Sequence, residues 1–219
     1  MAWDWLNIFR RENFEELTNA RLHSVLKSDV ERVLCPRGFE EAGELKWVRD
    51  RYAPIRHVFT FFKLKGGVFT PEWGVSLDFV PHVSGGQVRW HRTSKAARLD
   101  LCHGCQDRTL YMPYTRGEAP VRQKQAAVIA EAVSRAEDFW GRCETFADLP
   151  SAIARLRADL KERDLGFDSF TQHALATAFI HAKSGHPDAA LAALQAGKQR
   201  WKPEVFQRLA KLVSEAHPD

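Results

Sequence analysis

Trp73-Gly-Val-Ser-Leu-Asp-Phe-Val-Pro-His82, followed by Ser84-Gly-Gly86 and Gln87-Val-Arg-Trp-His-Arg92, carries the clearest sheet signal in the chain. Its first half alternates. Trp73, Val75, Leu77 and Phe79 share one side of an extended chain and Gly74, Ser76 and Asp78 the other, with His82 on that second side, the period-two signature of a half-buried strand. Ser84-Gly85-Gly86 supplies residues for a reversal, and Val88 and Trp90 continue an apolar side opposite Gln87, Arg89 and His91. The spacing predicts a hairpin with Trp90 facing inward and Arg89 and His91 facing out.

On the N-terminal side of this stretch, Ile55 to Leu64 places Val58, Thr60, Phe62 and Leu64 on one side and His57, Phe59, Phe61 and Lys63 on the other. Phenylalanines on both sides predict a central strand, covered on one face and partly on the second. Leu45 to Val48, Leu99 with Leu101, and Leu110 to Tyr114 are further short extended pieces, giving a mainly antiparallel sheet of about five or six strands. Helical spacing of Leu17, Leu22, Val25, Leu26, Val30, Val33 and Leu34 predicts a helix from Phe14 to Leu34, ended by Pro36 and Gly38. A short apolar run, Trp3 to Phe9, precedes it. From Val121 to Cys143 the pattern predicts one long helix packed on the sheet, with Pro120 in its first turn. Ser151 is a candidate N-cap for the next helix. Asp168, Gly185, Pro187 and Pro203 punctuate a helical tail. The expected fold is therefore α+β, with residues 1–149 forming the sheet domain and 150–219 the tail, the two packing separately or as one domain.

The chain has 219 residues, 44% of them hydrophobic, enough for a substantial core. No run of 18 apolar residues suggests a membrane span, and the first residues lack the basic and apolar regions of a secretory signal. The expectation is a cytoplasmic protein without a membrane partner. Net charge is +4, unevenly spread: between Leu45 and Arg98 ten lysines and arginines face three acids, a surplus of +7 against −3 for the rest. That asymmetry points to an anionic partner, nucleic acid or an acidic protein face, unless the cations serve as solvent-side guards of a sheet.

Cys102-His103-Gly104-Cys105 is the most chemically pointed motif. Its spacing lets two thiolates meet one zinc ion, with His103, His82 or His91 completing the ligands; ordinary turn thiols and a redox pair are the alternatives. His57, His82, His91 and His103 fall in the sheet region, and Asp78 lies on the His82 side, a set from which a general acid and base can be drawn. Trp90 among Arg89, His91 and Arg92 is the best nucleic-acid element. No phosphate loop, nucleophile elbow or metalloprotease motif accompanies them. The sequence reading is a binding or interaction module without catalysis, using Arg89, His91, Arg92, Asp78 and His82, or the helical tail. Its alternative is a metal-dependent or histidine-based enzyme acting on an anionic substrate.

The order helix, Gly38-Phe39, Trp47 strand, Phe59/Phe61/Phe62 strand, Gly74 to Leu77 strand, then helices resembles an uncharacterised family of bacterial proteins defined only as a domain of unknown function, over residues 22 to 160. That resemblance implies a cytoplasmic bacterial α+β protein and no activity. Gly185, Ala190, Leu194 and Pro203, with Ala178 and Ala182, are similar to a single tetratricopeptide unit without its early Trp and Tyr. One such unit cannot build a groove.

Overall fold

The computed structural model describes residues 15–103, 107–162 and 171–216. The apolar run Trp3 to Phe9, Cys105 and Asp168 lie outside them. The fold is α+β, an antiparallel sheet with an N-terminal helix and a helical tail. Strands β1 (Glu40–Gly43), β2 (Lys46–Arg49), β3 (Ile55–Leu64), β4 (Val68–Leu77) and β7 (Leu101–Cys102) pair in that order, all antiparallel, and β8 (Met112–Pro113) also pairs with β4. β3 and β4 form the long central hairpin, in register from Ile55↔Leu77 to Leu64↔Val68.

The predicted Trp73 strand is real, and its Trp73, Val75 and Leu77 side is buried. It ends at Leu77 rather than running on. Val80 N–H turns back to the Leu77 carbonyl, and Pro81, without an N–H, cannot extend a ladder. The hairpin at Gly85-Gly86 is a separate two-stranded ribbon of β5 (His82–Ser84) and β6 (Gln87–Arg89). Both glycines have positive φ, 59° and 74°, which a two-residue type I′ turn requires.

Helix α1 (Asn19–Leu34) starts later than its periodicity predicts because Thr18 caps it, accepting from Arg21 N–H at 3.2 Å. Helix α2 (Ala119–Trp140) buries Val121, Val128, Ile129, Ala132, Val133, Phe139 and Trp140. Gln125 on α2 donates to Asp29 on α1 at 2.5 Å, so the two helices meet over one face of the sheet. Trp140 anchors this layer. It is fully buried against Phe39, His57 and Phe59, and its indole N–H donates to the Gly74 carbonyl at 2.9 Å.

Helix α3 (Leu149–Glu162) begins two residues before Ser151 because Thr145 and Asp148 form the stop before it, both the backbone N–H and the hydroxyl of Thr145 donating to Asp148 Oδ2. The tail continues as α4 (Thr171–Lys183), α5 (Pro187–Ala196) and α6 (Pro203–Ser214). α4 and α5 are the expected adjacent helix pair. Leu175, Phe179, Leu194 and Leu209 of the tail belong to the same apolar cluster as Trp47, Phe59 and Trp140 of the sheet layer. No helix among the described residues is long and apolar enough to cross a membrane.

Candidate functional site

Strand parity sends odd residues of β4 toward the helices and Thr70, Glu72, Gly74 and Ser76 to the other face, beside Val58, Thr60 and Phe62 of β3. That second face is incompletely covered. Val48, Val58 and Ala97, with Ala42 and Leu99 packed on them, make a small apolar cluster there, and next to it opens a cleft of about 470 Å³. Val58, Phe62, Leu64 and Leu99 give it apolar wall, and Phe62 remains 44% exposed.

Two cations line the same cleft, Lys46 and Arg98. The Lys46 ammonium donates to the carbonyls of Lys95 (2.7 Å) and Ala97 (3.2 Å), and burial together with Arg98 lowers its pKa. Neither makes an ion pair among the described residues. Lys63 also borders the cleft, but its ammonium turns away to the Leu17 carbonyl at 2.5 Å and lies over the Tyr114 ring.

Glu72 and Cys102 line the cleft as well. Cys102 pairs with Gly74, and the approach of β7 is so close that a Cβ on residue 74 would stand 2.1 Å from the Leu101 carbonyl oxygen; only glycine fits. The Cys102 backbone N–H donates to Nε2 of buried His173 on α4 at 3.2 Å, so that nitrogen carries the lone pair. The Cys102 sulfur lies 3.6 Å from the same nitrogen. Its thiol also hydrogen-bonds the Glu72 carboxyl, which burial raises to about 7. A thiol, an imidazole and a carboxyl thus meet at the edge of an open cleft.

The residues expected to bind take other positions. Asp78 pairs with buried Arg56, whose guanidinium also reaches the Arg92 carbonyl. His82 and His91 do come together, Nδ1 to Nδ1 at 3.3 Å, and His91 Nε2 meets Asp100 Oδ2 at 2.7 Å. His91 is only 1% exposed and Trp90 is 41% exposed, the reverse of the predicted parity, because β6 stops at Arg89 and the alternation lapses there. Arg92 stacks over the Trp90 ring at 4.4 Å, and Arg89 donates to Gln87 Oε1 at 3.2 Å. Within this chain Asp100 accepts from the Leu77 N–H and faces His91, whose other ring nitrogen faces His82, so the order Asp100, His91, His82 runs from the interior toward the surface.

Cys102 and His103 point to opposite sheet faces and do not meet at one point, and Cys105, the other thiol of the expected zinc set, lies outside the described residues. Cys102 meets Glu72 and His173, whereas the His103 ring stacks on Trp73 at 5.5 Å and reaches Phe139. Among the described residues no group of three His, Cys, Asp or Glu is arranged to hold a metal. His57 is no general base: burial first and Arg49 second lower its pKa to about 3, and it stacks between Tyr52 and Trp140. Nor do the cations of the central segment form one basic face, since Arg49, Arg56 and Lys63 are spent on interior contacts.

Sequence reasoning missed Glu72, Asp100, His173, Lys46 and Arg98 as site residues. Glu72 had a signal: it stands within a stretch otherwise free of acids from Arg51 to Leu77, on the strand side facing away from the tryptophan. His173 had none, being 71 residues from its partner. Searches of protein-family models, curated proteins and solved structures find no match to the chain.

Proposed function

We propose that the chain is a binding module whose sheet-face cleft takes a small amphipathic anion, its charged head at Lys46 and Arg98 and its apolar body along Val58, Phe62 and Leu99. The observation that carries this reading is a pair of cations, neither of them in an ion pair among the described residues, beside an apolar wall. Arg98 destabilises the charged form of Lys46, a cost that an arriving anion offsets, while a partly exposed phenylalanine offers surface to bury. The cleft's size suits an organic acid rather than a polyanion, and the dispersal of the other cations gives no continuous track for a phosphate backbone.

Anilinonaphthalene sulfonate, a fluorescent amphipathic anion, is the test probe. It should bind saturably, and Lys46→Ala with Arg98→Ala should weaken it roughly tenfold or more, each lost charged hydrogen bond being worth about 1.5 to 3 kcal/mol. Binding unchanged by the double substitution, or displaced only by heparin, would place anion recognition elsewhere.

A further inference from the structure

Cys102 differs from the other cysteines of the described residues. Cys35 is exposed beside Glu31 and Glu40, and Cys143 is buried with its thiol pushed up to about 12. Cys102 alone borders the cleft with an imidazole lone pair 3.6 Å from its sulfur. His173 is held there by more than the thiol. The Cys102 N–H fixes which nitrogen faces the sulfur, and full burial on α4 fixes the ring. A thiol becomes a nucleophile as its thiolate, and a neighbouring histidine able to take the proton is the usual way to reach it.

We propose that Cys102 is a nucleophile, with His173 as its base, for an organic acid that carries an electrophilic carbon and is seated in the cleft by Lys46 and Arg98. This rests on the anion-binding reading for its choice of substrate. In the step, the Nε2 lone pair of His173, which at rest accepts from the Cys102 N–H, gives up that hydrogen bond and takes the thiol proton, and the sulfur pair forms an S–C bond. The bond from that carbon to its leaving group breaks, the electron pair departing with the leaving group. The proton then passes from the imidazole to solvent or to the leaving group. Glu72 is the neighbour that sets when this happens: its carboxyl competes with His173 for the thiol proton.

The test compares iodoacetate with neutral iodoacetamide on the full chain, reading each cysteine by peptide fragment mass spectrometry. Cys102 and Cys105 share the tryptic peptide from Leu99 to Arg108 and are told apart by fragment ions. Cys102 should be alkylated by iodoacetate roughly tenfold faster than exposed Cys35, and His173→Gln should remove that advantage, as loss of a general base does. An unfolded variant would also label at the ordinary rate, so its fold is checked in the same digest by Cys143, which is fully buried and should stay unlabelled. Lys46→Ala with Arg98→Ala should lower the iodoacetate rate at Cys102 and leave the iodoacetamide rate unchanged. Cys102 reacting no faster than Cys35 with either reagent would overturn the nucleophile while leaving probe binding intact. Fast, His173-dependent labelling by both reagents alike would support the nucleophile and overturn the anion reading.

Discussion

Replacing Glu72 by Gln should stabilise the protein by as much as about 3 kcal/mol at pH 8, and leave it little changed at pH 4, because a pKa gap of this size is worth 1.36 kcal/mol per unit. Burial raises the Glu72 carboxyl from 4.5 to about 7, opposed in part by the Cys102 thiol. In the unfolded chain the proton leaves near 4.5. Between these values the folded state therefore holds more protons than the unfolded one, and stability falls as pH rises. The stabilisation of the neutral acid is complete below 4.5 and lost above about 7. Gln keeps the shape and stays neutral, so its urea midpoint should lack that fall. His57 acts in the opposite sense: with its pKa lowered from 6.5 to about 3, stability falls as pH drops through that window. The two windows overlap, so wild type against Glu72→Gln, measured at pH 4, 6 and 8, isolates the carboxyl. Equal midpoints at pH 8 would mean that the ionised carboxylate is accommodated without cost.

Trp140→Ala should be more damaging, about 3 to 5 kcal/mol, the usual cost of emptying a fully buried aromatic site. Transfer and cavity terms act together. The ring is in contact with Phe39, His57 and Phe59, and Arg49 lies 5.5 Å from its centroid. Removing it also strips the Gly74 carbonyl of its indole donor. Trp140→Phe separates the terms, since it retains most of the ring and loses the hydrogen bond. Chemical denaturation should rank wild type above Phe and Phe above Ala. A Phe variant as unstable as Ala would assign the effect to the hydrogen bond rather than to packing.

Much of this fold was legible because burial writes itself into periodicity. The two-sided apolar pattern of β3 marked it as central, and the 3.6-residue spacing of α1 and α2 marked the faces they bury. The hairpin at Gly85-Gly86 was legible too, though not its separation from β4, which depends on a turn at Asp78 and a proline at 81. Site chemistry was harder to read. His82 with His91 is a local pairing, and sequence brought them together. Asp100 and His173 complete their respective groups from segments that no spacing rule connects. Cys102 and His103 are neighbours in sequence but not across space, because successive side chains of an extended chain face opposite ways.

The separation of 71 positions between Cys102 and His173 also has a consequence during synthesis. The thiol emerges from the ribosome well before α4 does, and through that interval it has no imidazole beside it. Its reactivity is thus withheld until the tail helices close over the sheet, a long-range contact that forms late because loop closure over such a span is slow. A nascent or partly folded chain carries an ordinary cysteine at this position, and the assembled protein carries an armed one.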